Sequence, residues 1–435
     1  MKFVTLIFFL LLVHLEALGV GNTFLILPIL LLLLLVPKYY SIQVITDFFL
    51  NNTYFLILLI VLTIGVFRAN YQVTESNIFS TILSKFIFLI LFVGIVVCIS
   101  YYQRFTLKLS FYQSLNYLLI LPAIIYFSLN LFLHFLGVRV RQGGLEDQSI
   151  DQAVFLSKLG ININRVQFPL ATGLNNYAFN VALIFLILLF FIFILKKRSI
   201  FIILSASLCL LSILMVDTRV ALFIPILLVI VAYRFNFILK YSKTIFLVFL
   251  LLGPVIYLTV VPYVSELMGL DTLARSDDDL QTGNFRLIIW GVSFLFFSNF
   301  DIMHLFGYGE YGHFGSGQSV NWSYAFTNIQ NSSVNITPHS SFFTIIYDYG
   351  YIGLLVYIIF FFKILNVGRQ EEDSRVINRL MKCIVIFVAW AGTTDTIIGF
   401  YFENFMFMLF TFIIVFIIYF SKQNSSRKHL KVLKN

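Results

Sequence analysis

The chain has 435 residues, of which 60% are hydrophobic and 11% charged, whereas an ordinary soluble protein is about one quarter charged; a normal soluble domain is excluded. With 52 Phe and 23 Tyr beside long Leu and Ile runs, the apolar surface exceeds what one core can hide, so lipid must cover it. The net charge of +9 does not point to nucleic acid, because Lys and Arg mark the ends of apolar runs rather than mixing with aromatic residues on a polar scaffold.

A crossing helix needs about 17 to 25 mostly apolar residues, since hydrocarbon offers its N–H and C=O groups no partner. On that criterion about twelve spans are expected, at residues 3–18, 22–36, 54–67, 82–101, 114–137, 177–195, 200–216, 220–235, 245–261, 341–365, 383–400 and 404–420. The predicted fold is therefore an all-α integral membrane protein, a single polytopic domain over residues 1–435. Lys2 ahead of Phe3 to Val13 resembles a signal peptide, but no small-residue cleavage site follows, and the segment is expected to remain as a helix. Cys98, Cys209 and Cys383 lie in or beside apolar runs, too far apart for a metal knuckle or disulfide framework, and are expected to be packing residues.

With the N-terminus inside, most of the 29 Lys and Arg residues fall on one side, among them Lys196, Lys197, Arg198, Arg234, Lys240, Lys243 and the stretch from Lys363 to Lys382. The positive-inside rule makes that side cytoplasmic and puts both termini there. Two long polar stretches, 138–176 and 262–340, then lie outside, where long loops are usually functional. Within the second, residues 285–300 (FRLIIWGVSFLFFSNF) are apolar but short and preceded by acids, which suggests an interfacial or re-entrant helix. No internal or inverted repeat is visible.

Four arginines of the outer side sit beside the membrane: Arg139 or Arg141, Arg165, Arg219 and Arg286. Arg219 occupies the minimal turn Val216-Asp217-Thr218-Arg219-Val220, which holds a permanent charge at the bilayer edge. Guanidinium forks match phosphate oxygens, so a convergent set would grip a lipid-linked phosphate or pyrophosphate. Snorkelling to headgroups and a pair with Asp217 is the plainer account of any one of them. His339, in Pro338-His339-Ser340-Ser341, stands where a loop meets a long helix and could take a proton from a sugar hydroxyl near neutral pH; a helix-start histidine bonding a loop carbonyl is its plainer account. Asp348 could orient or charge-balance the site, but in a continuous helix it lies about two and a half turns from His339. Asp277-Asp278-Asp279 has an Asp-x-Asp pattern but reads best as a solvated acidic run. Gly307 to Gly317 is glycine-rich and aromatic, expected as a flexible loop lining an acceptor groove.

Taken in order, Arg165-Val166-Gln167-Phe168-Pro169 with Asn175-Asn176, Asp217-Thr218-Arg219, Phe285-Arg286-Leu287-Ile288-Ile289-Trp290, Gly307-Tyr308-Gly309, and His339 with Gly350 and Gly353 resemble the bacterial O-antigen polymerases and O-antigen ligases. The likeness runs from about Arg165 to Gly353. It implies a C-type glycosyltransferase architecture in the bacterial inner membrane, using undecaprenyl-pyrophosphate-linked oligosaccharide. Arg165, Arg219 and Arg286 would bind the pyrophosphate, with His339 and Arg219 as catalytic residues and no metal or cofactor. The implied product is a surface polysaccharide, either lipopolysaccharide O-antigen or capsule. The implied partners are membrane lipid, a chain-length regulator and a flippase, with no nucleic acid. The chain departs from the family pattern at Thr218, Ser340 and Asp348, where Ser, Asn and Glu are frequent. A polymerase is the first expectation and a ligase the second. A flippase, the reading from another class, would need charges near mid-membrane and broken helices, and mid-span charges are almost absent from the sequence.

Overall fold

The computed structural model describes residues 41–69, 76–138, 164–171, 174–259, 286–323, 337–367, 372–397 and 405–421, with isolated positions between 153 and 161. Every regular element among them is helical. Six helices are long and apolar enough to cross a membrane: Leu89–Thr106, Phe111–Phe135, Leu174–Phe193, Ile238–Thr259, Ser341–Ile364 and Arg375–Thr394. A seventh candidate is the pair Ile42–Asn51 (α1) and Thr53–Arg68 (α2), bent by 97°.

The expectation of twelve spans is met in part. Runs 3–18 and 22–36 lie outside the described residues, and 54–67 is one limb of the bent pair. Runs 200–216, 220–235 and 404–420 form helices of 17, 16 and 17 residues, each at or below the lower limit for crossing. The first two are cut short by a polar turn, with Ser199 capping one start and Asp217 ending it in a left-handed conformation.

In chain order the remaining helices are Ser76–Tyr101 (α3), Phe111–Phe135 (α4), Leu174–Phe193 (α5), Ile200–Val216 (α6), Arg219–Arg234 (α7), Ile238–Thr259 (α8), Arg286–Ser298 (α9), Met303–Phe306 (α10), Gly312–Gly315 (α11), Ser319–Ser323 (α12), Ser341–Ile364 (α13), Glu372–Thr394 (α14) and Phe405–Ser421 (α15). Apolar all round, α5 is the centre: nearly every side chain from Tyr177 to Phe191 is buried, and α6, α7, α14 and α15 pack against it. On α7, Ala221, Pro225, Leu228 and Ala232 face inward, while Phe223, Ile226, Leu227 and Ile230 form an exposed stripe. Apolar residues on both faces suit a helix with protein on one side and lipid on the other. Cys98, Cys209 and Cys383 are buried free thiols, as packing residues should be.

The two ends of the bundle differ in charge. One carries the α6–α7 turn at Asp217. The other carries Lys196, Lys197 and Arg198 after α5, Arg234 at the close of α7, and Lys243 near the start of α8. There the Lys197 ammonium lies 5.8 Å from the Tyr112 ring centre and Lys243 lies 5.2 Å from that of Phe362. Phe362 is near the C-terminus of α13, so the N-terminus of α13, next to His339, belongs to the Asp217 end.

The glycine-rich segment is not a loose loop. Helix α13 breaks at Gly350, with φ 68° and ψ −168°. Beside the break the Tyr347 and Asp348 carbonyls accept the Tyr308 and Gly309 amides at 2.7 and 3.0 Å. A Cβ on Gly307 would meet the Asp348 carbonyl at 2.5 Å, and one on Gly350 would meet the Gly307 nitrogen at 2.4 Å. Only glycine permits that approach and the positive φ on both sides. The Glu310 amide continues the seam by donating to the Gly65 carbonyl of α2 at 3.0 Å. Short helices α11 and α12 then bury His313 and Trp322, so the expected flexible loop is instead packed against α2 and α13 through Gly307 to His313, while residues 314–317 lie nearer the surface.

Candidate functional site

Arg165 lies on an extended segment that crosses the top of two helices. The Val166 amide donates to the Met215 carbonyl at 2.9 Å, and the Leu170 amide donates to Asn130 Oδ1 at 2.9 Å. Arg165, 7% exposed, donates Nε to the Val216 carbonyl at 3.0 Å. That carbonyl is one of the four a helix end leaves open. The next residue, Asp217, has φ 56° and ψ 45°, a conformation Asp tolerates better than most residues. Thr218 is extended, and Arg219 begins α7. The two-residue turn therefore places Arg165 and Arg219 on either side of one helix junction.

A second group forms where α9, the start of α13 and the end of α14 meet. Trp290 of α9 is fully buried and donates its indole N–H to the Pro338 carbonyl at 2.9 Å. The next residue, His339, has φ 48°, a left-handed conformation that costs an L residue about 1 kcal/mol or more. It is held because the carbonyls before and after it are both tied, that of Ser340 by the Thr344 hydroxyl at 2.9 Å. Beyond the last turn of α14, Asp395 is pinned too. Ser341 Oγ donates to its carbonyl at 3.3 Å and accepts the Ile397 amide at 3.0 Å, and the Thr396 amide donates to Asp395 Oδ1 at 2.8 Å. Arg286 donates Nε to the Thr394 carbonyl at 3.1 Å.

His339 Nδ1 lies 3.9 Å from Asp395 Oδ1, with the His339 side chain 35% exposed and that of Asp395 13% exposed. Burial of Asp395 opposes ionisation, but His339, the nearby Arg286 charge and the Thr396 amide outweigh it and hold the carboxyl below its usual range. A fixed anion thus faces a reachable imidazole beside a guanidinium.

Helix packing brings the two groups to one end. Phe387 of α14 meets Phe179 in the second turn of α5, ring centres 6.5 Å apart. Thr218 Oγ1 is 3.5 Å from Asn175 Oδ1, which puts the start of α5 at the Asp217 end. Deeper, Cys383 Sγ donates to the Leu228 carbonyl at 3.8 Å. These contacts set α14 antiparallel to α7. At about 1.5 Å per residue, Arg219 and Thr394 lie about 13 and 16 Å from that contact, within roughly one helical turn of the same level. Arg165, Arg219, Arg286 and His339 therefore share the Asp217 end.

Asp348 does not join them. Its Oδ1 accepts the Gly312 amide at 2.8 Å, and it faces the Gly307–Gly312 seam rather than His339, so it orders the fold and does not orient the histidine. Nor is the interior as free of ionisable groups as the sequence suggests, because Asp348 and Glu310 are only 1% and 2% exposed, and the Tyr349 hydroxyl donates to Glu310 Oε1. Arg139, Arg141 and Asp277 to Asp279 lie outside the described residues. Sequence reasoning missed Asp395, although a lone acid after Thr393-Thr394 inside an apolar run was a usable signal.

No family model, no curated protein and no solved structure matches the chain. The residues themselves carry any functional reading.

Proposed function

We propose that this chain is a metal-independent membrane glycosyltransferase of the C-type architecture, its about twelve spans being the six long helices, the bent pair, the shorter helices Ile200–Val216, Arg219–Arg234 and Phe405–Ser421, and the runs 3–18 and 22–36. Its reaction joins undecaprenyl-pyrophosphate-linked oligosaccharide repeat units into a surface polysaccharide on the outer face of a bacterial cytoplasmic membrane. The Asp217 end faces outward on this reading, because the opposite end carries the Lys and Arg residues expected inside. The observation that carries the proposal is the meeting of Arg286 and His339 around residues 394–395, with Arg165 and Arg219 at the same end.

In the proposed step the acceptor sugar hydroxyl attacks the anomeric carbon of the donor, and the bond to the pyrophosphate oxygen breaks with its electrons leaving on the lipid. Arg165, Arg219 and Arg286 stabilise the growing negative charge. His339 takes the hydroxyl proton, a contribution typically worth about 100- to 10,000-fold in rate. The donor is already activated and needs no ATP.

A surface-glycan ladder from cells carrying wild type, Arg219→Ala or His339→Ala tests this. Both variants should leave single repeat units where wild type gives long chains; normal ladders from normally inserted variants would remove the assignment. Full-length glycan left on the carrier lipid would point instead to a ligase. One observation favours a transporter as a second reading: a helix broken at Gly350 beside buried Asp348 and Glu310 resembles the ion sites of broken-helix carriers. Repeat units trapped inside cells lacking the protein would support it.

A further inference from the structure

We propose that Asp395 is a positioning residue for His339, holding the imidazole proton on Nδ1 so that Nε2 is the nitrogen turned to the acceptor hydroxyl. The inference rests on the reading of His339 as the proton acceptor. Three features carry it.

Asp395 is fixed before the histidine arrives. Its carbonyl is held by Ser341 and the preceding carbonyl by Arg286, and its own Oδ1 caps the Thr396 amide. A carboxylate set this firmly just past the end of a helix is a reference point, not a mobile surface acid.

His339 is fixed in direction as well. Its left-handed backbone stands between two tied carbonyls, and of its two ring nitrogens it is Nδ1 that faces Asp395. At 3.9 Å the pair lies just beyond hydrogen-bond reach, and in the proposal the partly exposed ring turns towards the carboxylate to make the bond. A neutral imidazole that donates from Nδ1 to a carboxylate has its acceptor at Nε2.

The surroundings suit the task. Arg286 of α9 is the charged group outside the pair that acts on Asp395 among the described residues; α13 contributes the hydroxyls of Ser341 and Thr344, and Thr396 a further hydroxyl. During transfer the acceptor oxygen bonds to the anomeric carbon and its proton passes to Nε2. The resulting imidazolium is then balanced by Asp395, whose own proton count does not change. The lowered carboxyl range of Asp395 agrees with a group that stays ionised throughout.

The test uses the full chain in lipid bilayers with nitrogen-15 histidine, the signal of His339 among the six histidines being assigned by its loss in His339→Gln. Wild type should show neutral His339 protonated on Nδ1, Asp395→Asn should move the proton to Nε2, and Asp395→Glu should restore it. Asp395→Ser, which can still cap Thr396, replaces Asn if that variant fails to insert. Transfer by the neutral variants should fall about 100-fold or more in kcat, with KM for the lipid-linked donor little changed and Glu rescuing part. An unchanged tautomer in Asp395→Asn or Asp395→Ser overturns the proposal whatever the activity. A shifted tautomer together with normal chain length in His339→Ala upholds the pair and sinks the polymerase reading instead.

Discussion

Arg286 spans 108 residues of sequence to donate its Nε to the Thr394 carbonyl at 3.1 Å. Such a bond both closes the end of α14 and sets the plane of the guanidinium, since Nε and the two terminal nitrogens are coplanar. Lysine can supply the charge but not the planar fork. Arg286→Lys should therefore insert normally yet transfer about 10- to 100-fold more slowly, the scale of one charged hydrogen bond. Initial rates with purified protein and lipid-linked donor check this, and wild-type rates would show that only the charge matters.

The contact of Gly307 with Gly350 yields a stability prediction with an internal control. Gly307→Ala puts a methyl against the Asp348 carbonyl at a φ of 73°, and the backbone strain alone is worth about 1–3 kcal/mol. A methyl on Gly291, in the middle of α9, meets nothing within 4 Å and should stabilise the helix by about 0.5–1 kcal/mol. Thermal unfolding in detergent should lower Tm for the first and leave or raise it for the second. Equal Tm values would contradict the packing described for the seam.

Asp348 separates a structural acid from a transporting one. Asp348→Asn keeps an oxygen for the Gly312 amide and should retain near-wild-type Tm and glycan ladder. Asp348→Ala leaves that buried amide bare, at a cost of about 1–3 kcal/mol. Loss of function in the Asn variant with unchanged Tm would favour the transporter reading, because the amide keeps the acceptor oxygen and removes only the carboxyl that can gain and lose a proton.

His304 sets an acid limit. Its Nδ1 accepts the Asp301 amide at 3.2 Å, and Phe296 and Phe297 lie with ring centres 4.7 and 4.9 Å away. Burial pushes its pKa below the ordinary 6.5, with Asp301 opposing. Below that ordinary value the unfolded chain takes up a proton that the folded protein resists, so stability is full above pH 6.5 and falls as pH drops towards the folded pKa. Tm measured across this range should decline for wild type and decline less for His304→Gln. Parallel curves would show that other groups set the limit.

What could be read from the sequence follows from the range of the forces involved. Apolar runs are local, and the central helix α5 and the long α13 lie close to where hydropathy puts them. The Asp217-Thr218 turn was legible for the same reason, being two polar residues between two apolar runs. The break in α13 was not, because Tyr-Gly-Tyr-Ile-Gly sits within a long and mostly apolar stretch and departs from helix only against Gly307. The role of Asp348 depends on an amide 36 residues away, which no spacing rule reveals. At the candidate site the three arginines stood out as cations at membrane edges and His339 as a histidine where a loop meets a helix, whereas Asp395 was absorbed into the expected span 383–400, and only the end of α14 at Thr394 frees it.

The break at Gly350 also bears on how the chain is assembled. A helix inserted alone would carry the Tyr347 and Asp348 carbonyls into hydrocarbon without the seam amides that donate to them, and a polar group left unpaired there costs several kcal/mol. Their donors, Tyr308 and Gly309, and the Gly65 carbonyl that anchors the neighbouring amide all precede α13 in the chain. A ribosome reading from the N-terminus thus delivers the receiving strap before the helix that needs it, and a circular permutant that reversed this order should accumulate as misinserted protein.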